Sequence, residues 1–184
     1  MVDLTWRLRW EADLSAGDHD ALSELLSRIY PEDHAVFTAG RSWAGARPEG
    51  RVIGYQDGRP VAHLGFIRRT LRITETSGLL VADVGLVGVA PSLQRSGIGL
   101  RLLEEASAGF HTLALPFGFL TCRPFVVPFY ERGGWKELPG QVTRMIDDNR
   151  QPETYLGPAL ALPVLASLAE WPSGHAVTRD GLEV

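Results

Sequence analysis

Cysteine is nearly absent from this chain of 184 residues; Cys122 stands alone. A lone cysteine forms no internal disulfide, so the fold must rest on its apolar core, and a reducing, cytoplasmic setting is the expectation. Long apolar runs are missing at the N-terminus. Every apolar window of "MVDLTWRLRWEADL" carries charges, which fits neither a signal peptide nor a membrane span. No sign of charge dominates either. Lys and Arg number 18 against 22 Asp and Glu, for a net charge of -4. That balance argues against a nucleic-acid surface or a membrane partner and fits a cationic small substrate. The five histidines, His19, His34, His63, His111 and His175, show no ligand spacing, so no metal is expected. There is no repeat, linker or low-complexity stretch. What is present is 45% hydrophobic residues, enough for a core, and the expectation is one domain over 1–184.

The patterning predicts a mixed α/β (α+β) fold. "LTWRLRW" alternates, with Leu4, Trp6, Leu8 and Trp10 on one side of a half-buried strand. Leu22, Leu25, Leu26 and Ile29 fall at helical spacing, with Asp18 as a cap and Pro31 as a stop. Residues 31–50 read as a loop holding Trp43. Two strands flank Asp57-Gly58, a hairpin turn. "GLLVADVGLVGVAP" is apolar nearly throughout, which predicts a central strand. A helix over 97–110, the strand "LPFGFLTC", a short helix in "VPFYERGGW" and strands in "QVTRMIDD" and "GPALALPVLASL" complete the chain. That order predicts a mixed central sheet with helices on both faces.

"VGVAPSLQRSGIGLRLL", residues 87–103, joins the central strand to the following helix. Such a junction offers free backbone N–H groups and the positive end of the helix dipole, a place for phosphate. It lacks the spacing of the dinucleotide fingerprint and the Lys-Ser/Thr pair of the P-loop. The pattern Val87, Val89, Pro91, Gln94, Gly97, Ile98, Gly99, Leu102, Leu103 resembles the acyl-CoA pyrophosphate loop of the GCN5-related N-acetyltransferases (GNAT). "FYERGGW" is similar to that family's second signature. The resemblance implies the GNAT fold and acetyl-CoA as co-substrate. Val87, Gly88 and Val89 would pair with the pantetheine arm. Gln94, Arg95, Ser96, Gly97, Ile98 and Gly99 would surround the pyrophosphate.

The ends of the chain are more specific. "WRLRWEADLSAGDHDALSE", "RSWAGARPE", "VAHLGFIRR" and the C-terminal "LPVLASLAEWPSG" resemble the nodulation N-acyltransferases (NodA), which acylate the amine of a chitin oligosaccharide from a thioester carried by a protein. "LPVLASLAEWPSG" and the "AH" strand pair are also similar to the aminoglycoside 2'-N-acetyltransferases. Both resemblances imply an amino-sugar acceptor. Gln94 and Arg95 are a departure from the nodulation pattern towards CoA users.

Acyl transfer to an amine needs a neutral amine, a polarised carbonyl and a proton for the leaving thiolate. Tyr130 is the candidate acid, since the resemblance implies a place beside the sulfur and a phenol of pKa ~10 can protonate a thiolate of slightly lower pKa; its alternative is an amphipathic packing residue beside Phe129. A strand N–H near Gly88 or Val89 could polarise the carbonyl. Asp83, on the same side of its strand as Val87, is either a base or a carboxylate bonded to a neighbouring strand or loop. Trp43, His63, Trp171, Asp147, Asp148, Asp180, Glu183 and the C-terminal Val184 are candidates for the acceptor side. His63 has a packed core residue as its alternative. An acyl-cysteine at Cys122 is disfavoured, with no His or Asp near it in sequence.

The expectation is therefore a GNAT-fold enzyme that acetylates an amino sugar directly from acetyl-CoA, with an aminoglycoside-type antibiotic ahead of a chitin-like oligosaccharide. A non-catalytic acyl-CoA-binding module would need no acid, and Tyr130 argues against it. The oligomeric state stays open between monomer and homodimer.

Overall fold

The computed structural model describes residues 4–147 and 149–184. The chain groups into two compact units, one of Met1–Phe66, Gly85–Ala106 and Val184, the other of Ile67–Val84 and Ser107–Glu183.

In the first unit β1 (Thr5–Trp10) pairs antiparallel with β2 (Gly50–Gln56), from Thr5↔Tyr55 to Trp10↔Gly50. β2 pairs antiparallel with β3 (Arg59–Arg72), from Gly50↔Phe66 to Gln56↔Arg59. Asp57 and Gly58 both have positive φ, 50° and 77°, the geometry whose twist matches a two-residue hairpin. Helix α1 (Ala16–Ile29) starts earlier than the sequence predicts. Ser15, not Asp18, is its cap. The Ser15 hydroxyl accepts the Asp18 N–H, while the Asp18 carboxylate accepts the Ser15 N–H at 2.9 Å. A capping box places the acidic residue at the third helical position, and the spacing alone had suggested it at the start. Leu22, Leu25 and Leu26 of α1 are fully buried, each contributing about 1.5–3 kcal/mol of apolar transfer.

The second unit holds the part of β3 beyond Phe66 and the start of β4 (Gly78–Val89). It also holds β5 (Phe117–Thr121), α3 (Val127–Arg132), β6 (Lys136–Glu137), β7 (Thr143–Ile146), β8 (Pro152–Tyr155), β9 (Ala159–Pro163) and β10 (Val177–Thr178). Its strands run β6-β9-β5-β4-β3-β10-β7-β8. The predicted central strand, β4, lies between β3 and β5. β4 and β5 are parallel, Val81↔Phe117 to Asp83↔Phe119, and α2 (Ile98–Thr112) lies between them in the chain. β10 and β7 are also parallel, so the sheet is mixed, as predicted. Leu71, Val81, Phe117, Phe119, Ala161, Trp171 and Val177 form the core. The sequence missed β6, β8 and β10, which are two to four residues long and too short to show a period. Among the described residues no helix is long and apolar enough to cross a membrane.

Candidate active site

The end of β4 is irregular. Leu86 has φ +52°, a left-handed conformation that a branched residue adopts only at a cost of about 1–2 kcal/mol. Three side chains engage the carbonyls around it. His63 Nδ1 is 2.8 Å from Leu86 O, the Tyr30 hydroxyl donates to Val87 O at 2.9 Å, and the Gln94 amide donates to Val89 O at 3.3 Å. Burial pushes the Tyr30 pKa above its ordinary value, so it remains a donor. Gly88 packs on α1, and a Cβ there would come within 2.5 Å of Ile29 Cγ2.

Beyond β4 a single 3-10 turn, Pro91–Leu93, leads into the loop. Arg95 and Gly97 have φ +61° and +87°. Ile98 is buried and anchors the first turn of the 15-residue α2. Among the described residues, the N–H groups of Arg95, Ser96 and Gly97 have no hydrogen-bond acceptor in the protein. A Cβ on Gly97 would meet nothing within 4 Å. The loop thus carries three unused N–H groups beside a helix N-terminus, with an exposed Arg95 among them. The Gln94 side-chain NH2 uses one of its two hydrogens on Val89 O at the end of β4 and leaves the other free of that contact.

His63 was expected on the acceptor side, but its ring is fully buried and both nitrogens are used internally. Arg51 Nη1 can only donate, so His63 Nε2 accepts from it at 3.0 Å and Nδ1–H donates to Leu86 O. Burial and the Arg51 guanidinium push the His63 pKa down to about 3, so the ring is neutral. Arg51 is itself fully buried. It forks onto Glu11 at 2.6 and 3.1 Å and donates to Ser42 O at 2.9 Å. Burial raises the Glu11 carboxyl, but hydrogen bonds from Arg51 and Arg47 outweigh it and hold the group below its ordinary value. Sequence reasoning missed Arg51, Glu11 and Tyr30. The one signal for Arg51 was a charge at the head of the apolar run "RVIGY".

Trp43 is half-buried, with the Arg47 guanidinium over its ring at 4.7 Å and the His19 edge at 6.1 Å. Val184 is buried against Gly65 and Gly85. A Cβ at Gly85 would collide with the Val184 carbonyl.

In the second unit, Tyr130 lies on the six-residue α3, largely buried, with its ring 5.1 Å from Phe129 and 5.8 Å from the fully buried Trp135. Gly134, at φ +89°, ends that helix, and the Trp135 N–H returns to Tyr130 O at 3.2 Å. Asp83 is 1% exposed and sits between two arginines. Arg179 Nη2 donates to Oδ1 at 2.9 Å, and Arg69 Nε is 3.3 Å from Oδ2. Burial pushes the Asp83 carboxyl above its ordinary value, and the Arg179 and Arg69 guanidiniums oppose that rise. Arg179 also binds Glu183 at 2.6 Å, so two positive and two negative groups balance. Arg72 pairs with Asp180 at 3.0 Å.

Other expected residues are structural. Trp171 is a core residue rather than a sugar platform. Phe119 stacks on its face at 5.6 Å, Phe117 meets it edge-on at 5.3 Å, and Gln141 accepts its N–H at 3.1 Å. Asp147 accepts the Gln151 N–H at 2.7 Å in a turn; Asp148 lies outside the described residues. Burial pushes the Cys122 thiol up to about 11, so it is protonated at neutral pH and a poor nucleophile. Among the described residues no cluster of His, Cys, Asp and Glu could hold a metal.

Comparison with known proteins agrees with this layout. By fold the chain is similar to a GNAT family N-acetyltransferase (YhbS) of Escherichia coli solved in complex with CoA, with TM-score 0.65, 12% identity, and coverage of 97% of this chain and 90% of that one. It is similar at TM-score 0.59 and 15% identity to an aminoglycoside 6'-N-acetyltransferase complexed with coenzyme A, covering 88% and 98%. Both likenesses are of fold. In sequence it is 36% identical to the nodulation protein A of Bradyrhizobium sp. (strain NC92), over 97% of this chain and 91% of that protein. The family model for nodulation protein A matches residues 1–184. The chain, on a GNAT fold, therefore belongs to the nodulation protein A family.

Proposed function

We propose that this acyltransferase moves an acyl group from a CoA thioester to the amino group of an amino-sugar oligosaccharide of the chitin type. The observation that carries the donor half is the loop Arg95–Gly97. Its three N–H groups are unpartnered, they stand at the start of α2, and the space beside Gly97 is open. A pyrophosphate suits that cradle, and the Arg95 charge adds to it. A thioester on a carrier protein brings no free pyrophosphate, so it would leave these groups unused. The family match over the whole chain supports the acceptor half. The nodulation N-acyltransferases that the ends of the chain resemble act on chitin oligosaccharides. The aminoglycoside acceptor, first choice on the sequence, falls behind, because its support in the comparisons is one of fold.

In this reading the neutral amine adds to the thioester carbonyl, a β4 N–H takes up the developing negative charge, and the C–S bond breaks as the amide forms. The Tyr130 hydroxyl protonates the departing sulfur, and the proton lost by the amine returns through water to the phenolate. One proton thus passes from nitrogen to sulfur overall. Asp83 anchors Arg69 and Arg179 in place of acting as the base. Trp43 is the aromatic left for a sugar face, since Trp171 is spent in the core.

The test is a set of acyl-CoA thioesters of increasing chain length, beginning with acetyl, beside acyl carrier protein thioesters. Each is paired with a glucosamine oligomer and with an aminoglycoside, and read by thiol release and product mass. CoA thioesters with the glucosamine oligomer should give the highest kcat/KM. A preference of about tenfold or more for the carrier-protein donor would replace the donor, and a preference of that size for the aminoglycoside would replace the acceptor.

A further inference from the structure

We infer that His63 is a positioning residue for acyl transfer: its Nδ1–H turns the Leu86–Val87 peptide so that the Val87 N–H faces the thioester carbonyl. The inference rests on taking the end of β4 as the acyl site.

The argument starts from Leu86. A leucine at φ +52° inside a strand is strained, and such strain persists only where the surroundings over-determine it. Here a buried chain of side chains does so. Glu11 fixes the Arg51 guanidinium by two hydrogen bonds, Arg51 occupies His63 Nε2, and the proton left on Nδ1 ends on Leu86 O at 2.8 Å. The ring has no other outlet. A trans peptide is planar, with its C=O and the following N–H pointing in opposite directions. The chain has no cis peptide bond among the described residues. Pulling Leu86 O towards the imidazole therefore turns the Val87 N–H the other way. The next peptide is held too, since Tyr30 binds Val87 O at 2.9 Å. Two consecutive peptide planes are thus set by side chains from outside β4.

This is the preparation that a carbonyl-polarising donor needs. A donor helps the reaction most when it is already aimed at the place where charge develops, about 2.7–3.1 Å from the oxyanion. A neutral imidazole supplies the aim without adding charge. The Arg51 charge behind it is paired with Glu11, a carboxylate that Arg47 also binds from the exposed side.

Two amides separate the ring's two jobs. In His63→Asn the side-chain NH2 falls near the Nδ1 position and can still donate to Leu86 O. In His63→Gln the amide falls near the Nε2 position and leaves that carbonyl without its donor. With an acyl-CoA donor and a glucosamine oligomer, His63→Gln should lose kcat on the order of 10²-fold at unchanged donor KM, and His63→Asn should recover most of it. In the 15N-labelled free protein, the Val87 amide signal should move in His63→Gln and stay near its wild-type position in His63→Asn. A folded His63→Gln with wild-type kcat, or with an unmoved Val87 amide, overturns the inference. So does a His63→Asn that loses as much kcat as His63→Gln. If the wild type turns over no acyl thioester, the proposed function fails while the Val87 amide still decides whether His63 sets the peptide. Should His63→Gln not fold, the 15N pattern of wild-type His63 decides: an Nε2–H tautomer between pH 5 and 8 overturns the inference, and an Nδ1–H tautomer supports it.

Discussion

Arg179 Nη2 lies 2.9 Å from Asp83 Oδ1, and both side chains are 1% exposed. They are 96 residues apart in the chain. A buried ion pair of this kind adds little over a well-packed apolar pair, but removing one partner strands the other charge. Arg179→Met should cost about 3–5 kcal/mol in urea unfolding. Asp83→Asn should also act on stability, because it leaves Arg69 and Arg179 without a full counter-charge. An Asp83→Asn protein with wild-type stability and no turnover would restore Asp83 as the base.

Tyr130→Phe removes a hydroxyl and leaves the ring contacts with Phe129 and Trp135. Donor binding should survive, while kcat falls on the order of 10²–10⁴-fold. Isothermal titration with acetyl-CoA and steady-state kinetics separate the two effects. Near wild-type kcat would take Tyr130 out of the mechanism.

Gly97→Asp should raise the donor KM strongly, since its carboxylate enters the open space where a phosphate is proposed to bind. Gly97→Ala is the control. It carries the same strain at φ +87°, about 1–2 kcal/mol, without the charge. Equal donor KM values for the two variants would dismiss the phosphate cradle.

Stability should fall as the pH drops below about 6.5. Unfolded His63 takes a proton near that pH, whereas folded His63 resists until about 3. Between those values the unfolded chain binds more protons, so acid favours unfolding by up to about 1.4 kcal/mol per pH unit. Glu11, held below its ordinary value, acts in the same direction below about pH 4.5. Urea midpoints from pH 7 to 4 should show the slope, and His63→Asn should reduce it above pH 4.5, leaving the smaller part that comes from His19, whose burial also lowers its pKa. An unchanged slope in that variant would mean that His63 is protonated in the fold.

Much of the layout was legible in the chain because it is local. The apolar run of β4, the glycines that follow it, the amphipathic α1 and the Gly133-Gly134 stop each declare themselves within a dozen residues. The Arg95–Gly97 loop falls in this class: its unused N–H groups follow from where a strand stops and a helix starts. The cap of α1 was misplaced by three residues, since Ser15 and Asp18 both belong to the same box.

Tertiary structure alone decided which charges are buried and which aromatics are exposed. Trp43 and Trp171 look alike as sequence, yet one is half-exposed in a loop and the other lies between Phe117 and Phe119. No local pattern distinguishes them, because burial depends on what packs from elsewhere in the chain. The same holds for Glu11, Arg51 and His63. Register Trp10↔Gly50 brings Glu11 beside Arg51, and register Ile53↔His63 brings the histidine into reach. A one-residue slip of either strand would turn these side chains to the opposite face. The sequence by itself determined that an apolar strand ends in a glycine-bearing turn leading into a helix; only the strand pairing determined that a buried histidine meets the Leu86 carbonyl near its end.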